Sequence, residues 1–325
     1  MLPLHCVIQR KKLLLLCIAL YSILCHFAYT HLWKDGIRIA ARKLSSSDRL
    51  FISYWNKKEL LYRSDITVDS PTEESTNSEP LIAIGGGITS RKLRDVSEHN
   101  IGEKFQFFTM FLPTFCHTAS RHFVYKFYLA YDHNDSVFAN KRLRDAFWQQ
   151  FHLVTTSGSC RDRGITVNLS SLVECEYAGK PAWAQNDAML EAYLDNVDYF
   201  YRINDDTRML TGGWTEKFIS TLESYDPPRV GVVGPNNRGD NMLILTYDFV
   251  HRTHIDVFGF YYPHLFTDWW GDRWMTLVYK PNRSTKIRKV RVLHTLGLGQ
   301  RYHVRHQVRK QVDGRLAHDI GVVNR

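Results

Sequence analysis

Residues 13–33, LLLLCIALYSILCHFAYTHLW, run for 21 positions without Asp, Glu, Lys or Arg. A helix rising about 1.5 Å per residue would carry such a run across a hydrocarbon core of about 30 Å. Arg10, Lys11 and Lys12 precede it, and Tyr29 and Trp33 sit at its far end. Basic flanks stay cytosolic and aromatic rings settle at the interface, so the run reads as an uncleaved anchor of a type II membrane protein. Ala28-Tyr29-Thr30 leaves a competing reading open, a cleaved signal peptide, although signal cores usually span only about 7–15 apolar residues. A buried helix is disfavoured because the run has no polar face.

That topology predicts a cytosolic tail at 1–12, the membrane segment at 13–33, and everything beyond in the lumen or outside the cell. Residues 34–79 end in SDITVDSPTEESTNSEP, too polar to bury the apolar surface that ordering requires, and read as a stem. The folded unit is then 80–325, a usual size for one α/β domain. Asn134, Asn168 and Asn282 each head an Asn-x-Ser sequon, which suits lumenal exposure. Beyond the anchor lie Cys116, Cys160 and Cys175; the short loop between Cys160 and Cys175 favours that disulfide pair, with the connectivity open. Eleven Lys/Arg between 283 and 325 face only Asp313 and Asp319, which accounts for the whole net charge of +9. A basic surface so concentrated argues against a general nucleic-acid binder.

Strand and helix signals alternate after residue 80. LIAIG (81–85) is a short apolar run closed by Gly85-Gly86-Gly87, 123–132 is β-branched and aromatic, and 199–203 and 230–235 are further strands. Residues 105–115, broken by Pro113, and 142–151, 183–194 and 214–222 carry helical spacing. The alternation predicts a mostly parallel sheet with helices on both faces, ligands lying at the carboxyl ends of its strands. Two acidic clusters, Asp132–Asp135 and Asp205-Asp206, fall at that edge.

The sharpest local signal is YFYRINDDTRM (199–209), an apolar strand that delivers two carboxylates at its tip. Hard oxygen ligands on a short turn suit Mg²⁺ or Mn²⁺ shared with substrate phosphates; a turn-capping Asp pair is the plain alternative. The glycines at 85–87 are not followed by Gly-Lys-Ser/Thr, so no P-loop is present. His251-Arg252-Thr253-His254 lacks the Glu of a zinc protease helix.

Taken in order, WAQNDAMLEAYLDNVDYFYRINDDTRMLTGGWTEKFIS, then VGVVGP, then FGFYYPHLFTDWWGDRW resemble the central segments of GT-A type glycosyltransferases, over roughly residues 81–302. Asn204 stands where many members carry an acidic residue. The resemblance implies a GT-A-like fold and transfer of a sugar from a nucleotide-sugar donor to a glycan, protein or lipid acceptor in the Golgi or ER. It also implies a Mn²⁺ or Mg²⁺ cofactor held by Asp206 and by the late His294. Asp205, Thr89, Ser90, Arg91, Asp132 and Arg301 would then meet the nucleotide-sugar. In TDWWGDRW, Asp272 matches the position of the catalytic base best, with Asp268 as the other candidate; a carboxylate at a helix start is the structural alternative for Asp272. Two other functions fit the same residues: an inactive, membrane-tethered binding or chaperone module of this fold, and a nucleotidyltransferase.

Overall fold

The computed structural model describes residues 79–237, 243–295, 299, 301–302 and 309–324, all within the unit Ser75–Arg325. The stretches read as tail, anchor and stem lie outside the described residues, except for Glu79. Among the described residues no helix is long and apolar enough to cross a membrane.

One eight-stranded mixed sheet organises this unit. Its strands are β1 (Leu81–Gly87), β2 (Val124–Asp132), β3 (Thr166–Cys175), β4 (Tyr199–Arg202), β5 (Thr207–Met209), β6 (Val232–Asn237), β7 (Phe249–His251) and β8 (Ser284–His294). They lie in the order β3-β2-β1-β4-β7-β6-β8-β5. Strands β3, β2, β1 and β4 are mutually parallel, as β6 is with β8; β7 runs antiparallel to β4 and β6, and β5 antiparallel to β8. The chain moves outward from β1 to β2 and β3, then returns to the other side of β1 as β4. That reversal is a topological switch point, and in open α/β sheets ligands bind in the crevice beyond the carboxyl ends of the strands at such a point.

Period-two alternation sends side chains to two cores. Ile82, Ile84, Tyr125, Phe127, Leu129 and Tyr201 face one side. There they meet the π-helical turn Phe107–Phe111 and the helices α1 (Ile101–Lys104), α2 (Leu112–Thr118), α3 (Lys141–Thr156) and α6 (Trp214–Glu223). Pro113 does not break this stretch; it stands in the first turn of α2, directly after the π-helical turn. The other side receives Ala83, Tyr128, Ala130, Phe200 and Val250. It is covered by α5 (Pro181–Leu194), α7 (Thr253–Phe258), α8 (Gly271–Val278) and α9 (Arg309–Val323).

Gly85 to Gly87 do not end the first strand, as their composition suggests, but continue it. A Cβ on Gly86 would come within 2.5 Å of the Ile203 carbonyl oxygen, and one on Gly85 within 2.8 Å of Met189 Sδ. The glycines let α5 and the end of β4 approach the strand closely.

The predicted Cys160–Cys175 pairing is corrected. Cys160 lies in α4 (Gly158–Asp162) and bonds to Cys116 at the end of α2, while Cys175 is a buried free thiol. Proximity in sequence misled because β3 separates the two residues: ten strand residues at about 3.3 Å each carry Cys175 to the opposite edge of the sheet.

Candidate active site

Four carboxylates lie at the end of the sheet where the parallel strands finish. Asp132 is the last residue of β2, Asp135 follows in the next turn, and Asp205 and Asp206 form the turn between β4 and β5. All four are at most 5% exposed. Burying that much negative charge requires partners, and each carboxylate has acquired a different kind.

Asp135 is committed to the fold. It accepts hydrogen bonds from Thr89 Oγ1, from the backbone N–H and hydroxyl of Ser90, and from the backbone N–H groups of Val137 and Phe138. The loop after β1 is thereby tied down, and the hydroxyls of Thr89 and Ser90 face Asp135. Arg91 is the member of that loop left at the crevice. Its Nη2 donates to Asp132 Oδ2 at 2.9 Å, and its guanidinium lies 5.3 Å from the ring of Tyr302. Asp132 also accepts from the Gly179 N–H at 3.0 Å, so it joins three loops.

Asp205 is gripped by both terminal nitrogens of Arg301, with Nη1 to Oδ2 at 2.7 Å. Burial alone would weaken the Arg301 proton, but Asp205 and Asp206 outweigh it and keep the guanidinium charged. Asp206 has a different neighbour. Thr207 of β5 lies directly opposite His294 of β8 in their antiparallel pair, and this register brings His294 Nε2 within 3.0 Å of Asp206 Oδ1. The far side of the histidine is fixed as well, since its backbone N–H donates to Asn237 Oδ1. Burial pushes the Asp206 carboxyl upward, yet His294 and Arg301 hold it below the usual carboxylate value.

Asp206 Oδ1 is buried and, despite the short approach of His294, has no aligned hydrogen bond. A buried anionic oxygen beside an imidazole nitrogen is a pair of donors that suits one divalent cation. Among the described residues no group of three or more His, Cys, Asp or Glu side chains converges. Two protein ligands suit Mg²⁺ or Mn²⁺, which take their remaining ligands from water and substrate phosphates. The residues present therefore fit such an ion.

Beneath this edge is a network that sequence reading passed over. Arg202, the last residue of β4, is buried against Asp248, with Nη2 to Oδ2 at 3.6 Å. Tyr262 donates to Asp248 Oδ2 at 2.5 Å and Tyr261 to Oδ1, while Arg202 Nε donates to the Tyr262 hydroxyl at 3.1 Å. Arg202 Nη1 donates to Asn204 Oδ1 at 3.1 Å, so the network holds the first side chain of the turn that carries Asp205 and Asp206. Burial lowers the Arg202 pKa, but Tyr262, Asp248 and Asp272 more than reverse it; Asp272 is thus within electrostatic reach of the network. The signal was present in YFYRIN: a charged residue inside an apolar strand demands a buried partner.

The two base candidates lie on the segment that follows. Asp272 is in the first turn of α8, and its Oδ1 accepts from the Arg273 N–H at 2.7 Å. Asp268 accepts from Thr267 Oγ1 and from the Trp269 N–H. The indole of Trp269 is 55% exposed beside them.

No protein-family model matches this sequence, and no curated protein matches it. Among solved structures the chain is similar to S. aureus TarS, at 10% identity and a TM-score of 0.45. That match covers 74% of this chain and only 39% of the TarS chain. It is also similar to a protein of Desulfovibrio desulfuricans G20 assigned as a nucleotide-diphospho-sugar transferase, at 12% identity and a TM-score of 0.36, covering 74% of this chain and 98% of that one. Likeness this distant carries no argument about activity.

Proposed function

We propose that this chain is a metal-dependent glycosyltransferase of GT-A type that moves a sugar from a nucleotide-sugar donor to a glycan, protein or lipid acceptor. The observation that carries the reading is the Asp206–His294 pair, with its unbonded buried oxygen, at the switch point of a parallel sheet and beside the charged Arg301. Asp206 and His294 are the residues that would hold Mn²⁺ or Mg²⁺. When bound, such a cation supplies Lewis-acid stabilisation of a diphosphate leaving group. Arg301 and Arg91 add fixed positive charge at the same edge, where desolvation strengthens its hold on phosphate oxygens. Asp205 and Asp132 orient those two arginines and offer acceptors to ribose hydroxyls. Asp272 takes the proton of the acceptor hydroxyl, with Asp268 as the alternate base. The face of Trp269 gives the acceptor sugar an apolar platform.

We place the chain in the Golgi or ER membrane, anchored at 13–33 with 80–325 in the lumen. The buried Cys116–Cys160 disulfide supports an oxidising compartment. Asn134, Asn168 and Asn282 are all exposed, as glycosylation requires.

Calorimetric titration of the purified full chain with nucleoside diphosphates, with and without Mn²⁺, tests the reading. Asp206→Asn should abolish the metal-dependent part of binding and cut turnover by about 10²–10³-fold, the scale of losing one electrostatic element of a transition state. Retained metal-dependent binding in that variant would place the site elsewhere. One observation favours a second reading, a non-catalytic binding module: Arg301 occupies both oxygens of Asp205. Donor hydrolysis separates the two, since an active enzyme leaks transfer to water. Pyrophosphate release would instead mark a nucleotidyltransferase.

A further inference from the structure

The outward face of the β5–β8 pair carries an uncompensated strip of positive charge. Arg208 lies opposite Leu293, and Leu210 donates its N–H to the Arg291 carbonyl, so period-two alternation puts Arg208, Leu210, Arg291 and Leu293 on one face. Their strand neighbours Thr207, Met209 and Val292 are buried on the other. Beyond Arg291 the pairing of β6 with β8 shifts register, and Arg288 and Lys289 emerge at that irregularity. Arg208, Arg288, Lys289 and Arg291 are all exposed, and none has an ion-pair partner among the described residues. Other basic residues of this region have partners: Arg301 pairs with Asp205, Arg315 with Asp319, and Arg283 donates to the end of α9.

Four cations on two strands, with no ion-pair partner among the described residues, repel one another. A ligand of opposite charge would be held strongly there. The strip starts at Arg208, two residues from Asp206, so what it binds lies close to the candidate site. Leu210, 44% exposed, and the half-buried Leu293 lie between the charges and offer apolar contact to the C–H faces of sugar rings.

Resting on the glycosyltransferase reading above, we propose that the acceptor is an acidic glycan chain, bearing carboxylate, sulfate or phosphate groups, and that the outer face of β5–β8 is the track that guides it to the site. The anions pair with Arg208, Arg291, Arg288 and Lys289 while the chain end enters beside Asp206. A bilayer surface is the rival ligand. It is disfavoured because Arg208 stands two residues from Asp206 and Leu210 and Leu293 alternate with Arg208 and Arg291, which suits a sugar chain entering the site.

Fluorescence anisotropy on the full chain in detergent tests this with two labelled probes of equal length, a heparin oligosaccharide and neutral dextran. The heparin probe should bind, weaken steeply as salt rises, and lose at least about tenfold in affinity in both R208E/R291E and R288E/K289E. Dextran should not bind. Two double variants at exposed sites guard against one misfolding, and unchanged metal-dependent nucleoside diphosphate binding confirms that each is intact. Heparin binding no tighter than dextran binding, or equal binding by folded variants, overturns the proposal. So does variant-sensitive binding to phosphatidylserine vesicles without binding to the oligosaccharide. Nucleotide and oligosaccharide are separate probes: absent nucleotide binding in the wild type sinks the transferase reading, absent heparin binding sinks only the track.

Discussion

Among the described residues one face of the sheet buries eleven phenylalanines and the other three. On the first, Phe127 alone meets the rings of Phe107, Phe111, Phe115 and Phe151 at centroid distances of 5.2–6.2 Å. On the second, alanines of α5 lie flat against β1, and the space beyond holds buried polar groups. Asn186 exchanges hydrogen bonds with the backbone of Tyr262, Asp319 accepts from the Trp274 indole, and Asp248 faces Arg202 and two tyrosines. Apolar rings are non-directional and tolerate a shift of neighbours; hydrogen-bonded carboxylates and amides do not. The first face therefore supplies most of the apolar burial, and the second fixes where Arg202, Asn204 and the start of α8 sit. Most of the apolar burial lies on one side of the sheet, and the polar network that holds Arg202 and Asn204 lies on the other.

That division breaks if both faces respond alike to substitution. Asp248→Ala leaves Arg202 buried without its counter-charge and should cost about 3–5 kcal/mol in denaturant unfolding. Asp248→Asn, although isosteric, should also be costly and should reduce turnover, because Asn204 loses its fixed support. Phe127→Ala should cost a similar 3–5 kcal/mol or so. Phe127→Leu, however, should stay within about 1.5 kcal/mol and leave turnover untouched. Equal tolerance of Asp248→Asn and Phe127→Leu would remove the distinction.

Acid should separate the faces next. His254 is buried on the polar side; its Nε2–H donates to the Tyr261 carbonyl, so its Nδ1 must accept from the Tyr279 hydroxyl. Burial depresses its pKa to about 4. Between pH 4 and its ordinary value near 6.5, the unfolded chain thus binds the proton that the folded chain refuses, and stability falls as pH falls. From pH 7 to pH 5 this one histidine should remove about 2 kcal/mol, and His254→Gln should flatten that part of the stability–pH profile. A profile unchanged by the substitution would show that the ring takes up its proton in place.

The smallest effect sharpens the comparison at the sheet itself. At Gly86 a Cβ meets a backbone carbonyl, at Gly85 the flexible end of Met189. Gly86→Ala should cost about 1–3 kcal/mol as overpacking and disturb Ile203, next to the turn that bears Asp205 and Asp206; Gly85→Ala should cost less and spare activity. Thermal unfolding of the two single variants decides it.

The same division explains what could be read from sequence. β1, β2 and β4 are apolar runs because both their faces are covered, and they were legible, as was the edge where Asp132, Asp205 and Asp206 gather. β3 escaped notice as an edge strand of mixed exposure. β8 escaped because Lys286, Arg288, Lys289 and Arg291 mask a pattern in which only Val290 and Val292 are buried. In α9 the buried face runs through Val312, Leu316 and Asp319, and the aspartate interrupts the apolar spacing. The residues 283–325 thus looked like a basic tail, although part of them forms a strand and a helix. Arg202 and Asp248 could be suspected only as charges lacking a partner, since nothing local joins residues 46 apart in sequence.

The position of β8 between β6 and β5 also bears on how the molecule is made. In the sheet β5 pairs with no other strand, so the turn bearing Asp205 and Asp206 hangs from β4 alone until β8 arrives. His294 follows Asp206 by 88 residues, an interval of about 4 to 18 seconds at the pace of the ribosome. During that time the newborn chain displays two carboxylates with neither the histidine nor Arg301 to meet them. Insertion of the final strand closes the sheet and supplies both partners in one event. A chain cut short before β8 therefore lacks the Asp206–His294 and Asp205–Arg301 contacts altogether.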